Sequence, residues 1–331
     1  MRLIQIQNGK ERRVAVVEEP RARLLAGVTS VYAMSQAALA DKTTLTAAAQ
    51  RRATAETLDY EAIYTGQSDW RLLPPIDHPH EPARLLVSGT GLTHFGSAQD
   101  RQKMHTAVPE ELTDSMKMFR LGAANGRPAP GSIGAAPEWF YKGVGTILRA
   151  HGEPLLIPCF AEDGGEEAEL AGVYIVGPDG RPHRLGMAAG NEFSDHAFEK
   201  KNYLNLAGSK LRACALGPEL ALEPGFQSVT GQVVIERAGK MLWQRALRTG
   251  EAEMSHSLRN LEHHHFKFDA HRRPGDVHVH YFGTDGLSFG DGVRLEHGDV
   301  MSIHFDGFGR ALRNPVQVAQ PPDVLVMVEQ L

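Results

Sequence analysis

The sequence predicts an α+β protein, because helix-like and strand-like segments fill different parts of the chain instead of alternating regularly. Residues 1–17 alternate polar and apolar side chains around Asn8-Gly9, which is typical of a β-hairpin. Residues 29–50 are rich in alanine and leucine and predict one or two helices. After about residue 137, short apolar segments alternate with turns, which indicates a mostly antiparallel β region with inserted helices.

The chain divides at a proline-rich connector. Residues 73–82 contain four prolines, a composition that favours extended structure over helix. We therefore predict a smaller N-terminal α/β domain over residues 1–82 and a larger β-rich domain over residues 84–331. Within the N-terminal region, Ser30 or Asp41 is the expected helix cap.

Composition excludes several classes of protein. The 331 residues are 42% hydrophobic and 23% charged, and the net charge is only -5, which argues against disorder and against nucleic-acid binding. No secretory signal and no membrane span are visible, so we expect a cytoplasmic protein without a membrane partner. The two cysteines, Cys159 and Cys214, cannot form a disulfide framework and are expected to be buried apolar fillers.

The densest chemical signal is acidic. Glu166, Glu167 and Glu169 lead directly into the apolar segment of residues 171–176. In a strand, the period of two places the carboxylates of Glu167 and Glu169 on one face, where they repel each other unless a cation lies between them. A hard ion with oxygen ligands, such as Mg²⁺, Mn²⁺ or Ca²⁺, fits this pattern. A solvated acidic turn is the alternative interpretation.

Segments of residues 84–315 resemble, in order, motifs of the fumarylacetoacetate hydrolase family. The matching segments are Leu86-Val-Ser-Gly-Thr-Gly-Leu92, Trp139-Phe-Tyr-Lys-Gly143, Glu167-Ala-Glu169-Leu, Ala189-Gly-Asn-Glu192-Phe-Ser194, Lys210 with Leu216-Gly-Pro218, Pro274-Gly-Asp276, Phe282-Gly-Thr284, Gly298-Asp-Val300, and Phe308-Gly with Leu312 and Asn314. The resemblance implies a mixed β-roll domain over residues 84–331, with a lid near residues 93–130. It also implies a homodimer.

The resemblance further implies a metal site and its substrate class. Glu167, Glu169 and Glu192 would bind Mg²⁺ or Mn²⁺, which would take a small 2-oxo acid through its carboxylate and keto oxygens. Glu192 stands where the family has aspartate. Lys210 would neutralise charge or move protons. The residues expected to contact the substrate are Thr284, Gly283, Ser97 and Lys142.

The predicted lid separates two reactions of this family. Hydrolytic members carry a histidine and a glutamate just after their Gly-Leu-Asn-Tyr turn, which together activate water. In this chain Ser97 falls at the histidine position, which disfavours hydrolysis. Gly91-Leu-Thr-His followed by Gly-Ser-Ala is similar to the branch that dehydrates 2-keto-3-deoxy sugar acids. For that reaction the base would be Lys210 or a metal-bound hydroxide, and the acid would be His94 or Asp100.

Two other functions stay open from the sequence. One is hydrolysis of a 2,4-dioxo acid on the same metal, and the other is a binding protein that kept the fold without activity. The histidine pair His278-Val-His280 is interpreted as a buried or interface pair, because no glutamate of a cupin site follows it. The run His263-His-His265 predicts a polar helix end.

Overall fold

The structure is a computed structural model that describes residues 1–105, 112–320 and 322–331. Within these residues the strands are β1 (Arg2–Asn8), β2 (Glu11–Glu18), β3 (Arg21–Leu25), β4 (Ala53–Asp59), β5 (Arg71–Leu72), β6 (Leu85–Gly91), β7 (Glu138–Val144), β8 (Leu148–Arg149), β9 (Leu155–Ile157), β10 (Ala168–Val176), β11 (Pro182–Asn191), β12 (Cys214–Leu216), β13 (Leu220–Ala221), β14 (Val229–Arg237), β15 (Lys240–Thr249), β16 (Val277–Tyr281), β17 (Val300–Phe305) and β18 (Leu312–Val318). The helices are α1 (Val31–Ala40), α2 (Leu45–Arg52), α3 (Tyr60–Tyr64), α4 (Phe95–His105), α5 (Asp114–Asn125), α6 (His196–Lys201), α7 (Leu206–Lys210) and α8 (Leu258–Phe266).

Most strands belong to one large mixed sheet. Its main path runs β4-β3-β2-β1-β13-β11-β10-β16-β6-β7. The predicted hairpin of residues 1–17 is confirmed, because β1 pairs with β2 antiparallel and Asn8 faces Glu11 across the turn. Strand β1 also pairs with β13, with Arg2 opposite Ala221 and Leu3 opposite Leu220. The boundary predicted near residues 82–84 is therefore not a break in the sheet.

Two helices cover the N-terminal part of this sheet, as residues 29–50 predict. Ser30 is the N-cap of α1 and accepts a hydrogen bond from the amide of Ala33 at 3.0 Å. Asp41 is the C-cap of the same helix, so both residues that were predicted as possible caps are caps of α1. The second helix begins after Thr44, whose hydroxyl accepts from the amide of Ala47 at 3.1 Å.

A second sheet of five strands, β15-β14-β17-β18-β9, packs against the large one. Apolar residues of β10 and β11 meet residues of β14, β17 and α8 in a shared core, with Leu170, Val233 and Phe305 among its buried side chains. All nine residues of β10 are buried, because it has neighbouring strands on both edges and packed layers on both faces. Pairing is mainly antiparallel, with parallel pairs such as β16–β6, and the predicted α+β class is confirmed.

The lid predicted near residues 93–130 contains α4 and α5. Residues 106–111 of the predicted lid lie outside the described residues. Where it is described, this region has its own small apolar cluster of Leu92, Ala98 and Met116. The cluster links the two helices to the end of β6, which leads towards the centre of the large sheet.

Buried histidines and cysteines depart partly from expectation. His278 and His280 are buried on β16, as predicted. Residues 263–265 lie in the last turn of α8, so the predicted polar helix end is confirmed, although His264 and His265 are buried there. Cys214 is buried, but Cys159 is exposed and is not the apolar filler that was expected. No helix among the described residues is long and apolar enough to cross a membrane.

Candidate metal centre

Three glutamates converge at one end of the β10–β11 hairpin. Ala168 pairs with Asn191 across this hairpin, so the residues just outside the pair, Glu167 and Glu192, face each other. The amide of Glu192 donates to the carbonyl of Glu167 at 2.9 Å. The strand period places Glu169 on the same side as Glu167. One carboxylate oxygen from each of the three glutamates lies within 4.8 Å of the others.

The centre is closed to solvent. Glu167 is 4% exposed, Glu169 is 1% exposed and Glu192 is fully buried. Burial raises the pKa of Glu169 well above its ordinary value, and repulsion from Glu192 and Glu167 raises it further. Burial followed by repulsion from Glu167 also raises the pKa of Glu192. Three buried carboxylates that repel one another form a set of oxygen ligands that suits a divalent cation.

Two buried lysines partly balance these carboxylates. The ammonium of Lys210, at the end of α7, donates to Oε1 of Glu167 and, at 2.5 Å, to Oε2 of Glu192. It also lies 4.6 Å from the centre of the Phe140 ring. Lys142, on β7, forms an ion pair with Oε1 of Glu192. Three carboxylates therefore face two ammonium groups, which leaves an excess of one negative charge if all are ionised.

Lys142, which was predicted to contact substrate, has several acceptors within the protein. Besides Glu192 Oε1, its ammonium lies within 2.9 Å of the carbonyls of Glu192 and Phe193 and within 3.0 Å of that of Lys210. An ammonium has three N–H donors, and these four acceptors use all of them. Lys142 thus holds Glu192 and the backbone around it, and its predicted contact with substrate stays a prediction.

Each of the three glutamates has at least one oxygen held by a donor, and Glu192 has both, because Lys210 donates to its Oε2. Glu167 Oε1 is 3.0 Å from Nε2 of His196. Glu169 Oε2 accepts from the amide of Gly283 at 2.7 Å. Glu192 Oε1 accepts from Lys142. A carboxylate anchored at one oxygen turns the other in a defined direction, so these contacts orient the converging group.

The loop after β16 is attached to the glutamate segment at two points. The amide of Gly283 holds Glu169, while the amide and hydroxyl of Ser288 donate to the two oxygens of Glu166 at 2.8 and 2.6 Å. Gly283 has φ +95°, and a Cβ there would lie 2.1 Å from the hydroxyl of Thr93, so only glycine fits. Gly283, which was predicted to contact substrate, thus supports Glu169 through its amide. Its contact with substrate stays a prediction.

Thr284 and Ser97, the other predicted substrate contacts, are also buried. The hydroxyl of Thr284 donates to the carbonyl of Gly286 at 3.1 Å, within the loop that follows Gly283. The hydroxyl of Ser97 donates to the carbonyl of His94 at 3.1 Å in the first turn of α4. Both hydroxyls therefore have acceptors inside their own segments, and their contact with substrate stays a prediction.

The two predicted acids are held by neighbours on the lid side. His94 lies between the hydroxyls of Thr93 and Thr249, at 2.8 and 3.0 Å, and burial lowers its pKa to about 3. An imidazole with that pKa is neutral at pH 7, and the proton-donor role of His94 stays a prediction. Asp100 pairs with Arg245 at 3.2 Å and lines a cavity of about 200 Å³ with Phe289.

His196 is a site residue that the sequence reasoning missed. It begins α6, two residues after Ser194, and its ring lies between Glu167 and the ring of Phe289, whose centre is 5.3 Å away. Burial lowers its pKa, but the hydrogen bond and the charge of Glu167 more than offset this, so the pKa of His196 is raised. A signal for His196 was present in the sequence: Asp195, a residue type that favours a helix N-cap, directly follows the motif that ends at Ser194, and it therefore indicates a helix that begins at His196.

No family model matches this sequence, and no curated protein matches it. Solved structures do match. A hexagonal crystal form of 2-keto-3-deoxyarabinonate dehydratase has a TM-score of 0.72 and 18% identity, covering 97% of this chain and 100% of that one. 2-Keto-3-deoxy-D-arabinonate dehydratase complexed with magnesium and 2,5-dioxopentanoate has a TM-score of 0.71, with the same identity and coverage. 5-Carboxymethyl-2-hydroxymuconate delta-isomerase from Mycobacterium smegmatis has a TM-score of 0.57 and 19% identity, covering 96% and 100% of the two chains.

The mixed sheets of this chain thus have the fold of these dehydratase and isomerase structures. The resemblance drawn from the sequence motifs is confirmed at the level of the fold. Within that class, the chain matches the 2-keto-3-deoxyarabinonate dehydratase structures with a higher TM-score than the isomerase structure.

Proposed function

We propose that this chain is a metal-dependent hydro-lyase that dehydrates a 2-keto-3-deoxy sugar acid, converting a 2-keto-3-deoxypentonate to 2,5-dioxopentanoate. The convergence of Glu167, Glu169 and Glu192 within 4.8 Å carries the proposal, since buried acids at this separation suit a hard cation. Support also comes from the fold shared along 97% of the chain with a dehydratase complexed with magnesium and 2,5-dioxopentanoate.

The three glutamates would hold Mg²⁺ or Mn²⁺. When bound, the ion would supply Lewis-acid stabilisation of negative charge on the carboxylate and keto oxygens of a 2-oxo acid. Lys210 is the proposed proton carrier: it contacts Glu167 and Glu192, so its ammonium reaches the place where those oxygens would lie. Thr284 is proposed to donate a hydrogen bond to the substrate carboxylate from the loop anchored through Gly283.

The proposed reaction needs one base and one acid. Lys210 acts as the neutral amine, after its ammonium proton has passed to a neighbouring carboxylate, and takes a proton from C3. The C4 hydroxyl gains a proton from the acid and leaves as water, which gives a double bond between C3 and C4. A proton then leaves C5 and one is added at C3, so the double bond moves to C4 and C5 as an enol, and protonation of this enol at C4 gives the aldehyde without any oxidant or reductant. Asp100 is the proposed acid on the lid side, because it lines a cavity with Phe289, whose ring contacts His196 beside Glu167.

Product analysis tests the proposal. The purified protein with Mg²⁺ and a 2-keto-3-deoxypentonate should form 2,5-dioxopentanoate, detected by mass spectrometry and by a semialdehyde dehydrogenase coupled to NADP⁺ reduction. A 2,4-dioxo acid that instead yields pyruvate and a second acid would favour the hydrolase. Stoichiometric metal binding without turnover of either substrate would favour a binding protein.

A matched pair of variants assigns the metal site. Glu169→Gln removes one charge from the converging group, so Mn²⁺ binding measured by calorimetry and turnover should be lost together. Glu166→Gln removes one charge from the same segment, but Glu166 bonds to Ser288 and lies outside the converging group, so metal binding should persist. Turnover by a metal-free Glu169→Gln protein would contradict the scheme.

We also propose a homodimer located in the cytoplasm. Residues 324–328 form an apolar run whose side chains are 71% to 92% exposed, an arrangement that a partner surface would cover. Sedimentation velocity of the purified protein tests the oligomeric state, and cell fractionation tests the location. A monomer at micromolar concentration would contradict the first proposal.

A further inference from the structure

The ring of His196 is packed in a single orientation beside Glu167. His196 is 3% exposed, and Asp195 caps the helix that begins with it by accepting from the amide of Phe198 at 2.9 Å. The Phe289 ring lies against the imidazole, with 5.3 Å between ring centres. The backbone of Gly165 lies near the imidazole as well, because a Cβ at Gly165 would be 2.2 Å from Nδ1.

These neighbours determine which ring nitrogen of His196 can donate a hydrogen bond to Glu167. Nδ1 is buried and has no hydrogen-bond partner among the described residues. Nε2 lies 3.0 Å from Oε1 of Glu167, and an ionised carboxylate only accepts hydrogen bonds. Nε2–H is therefore the donor, and it is present both in the imidazolium and in the matching neutral tautomer.

Gly165 makes this arrangement possible. An isolated bridge pairs Gly165 with Ser194, and each donates its amide to the carbonyl of the other, at 2.9 and 3.0 Å. This bridge brings the segment before Glu167 directly onto the segment that leads into α6. Because any Cβ at Gly165 would enter the ring of His196, the glycine and the histidine fit together as one unit.

We propose that His196 is a positioning residue that orients Glu167 for metal binding; this inference rests on the metal site of the proposed function. Oε1 of Glu167 also accepts from the ammonium of Lys210, which is shared with Glu192. His196 adds a second donor at the same oxygen, and the two donors together restrict rotation about the last bond of Glu167, as the amide of Gly283 does for Glu169. Loss of such a supporting contact commonly weakens metal affinity about 10–100-fold.

Two substitutions of His196 separate its hydrogen bond from its bulk. His196→Phe keeps a ring against Phe289 but has no donor, so the dissociation constant for Mn²⁺ should rise about 10–100-fold in calorimetry. His196→Gln has an N–H donor at similar reach and should recover at least part of this loss. The zero-field splitting of bound Mn²⁺ in electron paramagnetic resonance should also change in His196→Phe and move back towards wild type in His196→Gln.

A glycine substitution provides a test that leaves every polar side chain unchanged. Gly165→Ala should displace the ring and weaken Mn²⁺ binding like His196→Phe. Gly231→Ala is the matched control, since its Cβ would meet the Phe305 ring, 2.4 Å away, and the carbonyl of His304 in the second sheet and not the ring of His196. It should lower the melting temperature without changing Mn²⁺ affinity.

The outcomes distinguish this inference from the proposed function. Normal Mn²⁺ affinity and an unchanged spectrum in both His196→Phe and Gly165→Ala would overturn the role of His196 alone. Failure of His196→Gln to improve on His196→Phe in affinity and spectrum would also overturn it, because bulk instead of the donor would then matter. Absence of metal binding by the wild-type protein would overturn both the inference and the proposed function.

Discussion

Replacing Lys210 by methionine should make the stability of this protein depend on a metal. Lys210 is fully buried and is shared by Glu167 and Glu192. The substitution keeps the length and apolar stem of the side chain but leaves three carboxylates opposite one ammonium, that of Lys142. Leaving a buried charge without its partner costs about 3–5 kcal/mol. At about 2 °C per kcal/mol for a large chain, the melting temperature should fall by about 6–10 °C.

A divalent cation should reverse much of this loss. An ion bound by the glutamates replaces the missing positive charge, so saturating Mg²⁺ should raise the melting temperature of Lys210→Met more than that of wild type. Differential scanning fluorimetry in EDTA and in a Mg²⁺ series measures both values. Turnover should stay lost, since the ion does not replace the proton carrier.

An exposed lysine serves as the control for this experiment. Lys200→Met, in the short helix α6, should melt like wild type with and without Mg²⁺. The reasoning is refuted if Lys210→Met loses no stability in EDTA. It is also refuted if the loss is the same in EDTA and in saturating Mg²⁺, because the ammonium would then not be balancing the metal-binding carboxylates.

Two further changes test other parts of the structure. Ser288→Ala removes the hydrogen bond from the Ser288 hydroxyl to Glu166, and a hydrogen bond to a charged group is worth about 1.5–3 kcal/mol. Urea unfolding should therefore show a loss of stability of that size, and KM should rise because the loop that carries Thr284 loosens. Unchanged stability and KM would contradict the anchoring role of Ser288. Burial lowers the pKa of His280 from 6.5 to about 3, so the unfolded chain takes up a proton below pH 6.5 while the folded protein does not. Stability should therefore fall with decreasing pH, by up to about 1.4 kcal/mol per pH unit from this ring. In His280→Gln, urea unfolding between pH 6.5 and 4.5 should show a shallower fall than in wild type, and equal slopes would contradict the assignment.

Local sequence signals predicted the elements that short-range chemistry determines. The hairpin around Asn8-Gly9 formed as expected because its turn and its alternation act over adjacent residues. The motif order led to the fold, and the period of two along β10 correctly placed Glu167 and Glu169 on one face. The metal role of these glutamates stays a prediction.

Contacts between distant segments could not be predicted from the sequence. Lys142 was expected to meet substrate, but it donates to carbonyls 50 to 68 residues later in the chain, a separation that no local pattern encodes. His196 was overlooked because its function depends on a glycine, Gly165, 31 residues earlier, that leaves room for its ring. For His94 the sequence shows the residue type but not the burial that lowers its pKa.

The pairing of β1 with β13 also constrains how this protein is made on the ribosome. The first strand can form its hairpin with β2 as soon as it emerges, and β5 can pair with Ile6 and Gln7 soon afterwards, but the partner of Arg2 and Leu3, around Leu220, is synthesised more than two hundred residues later. Until then the start of β1 has unpaired amides and carbonyls on one side. The large sheet can therefore be completed only in the last third of translation. Because contacts between residues far apart in sequence slow folding, we expect this sheet to form slowly.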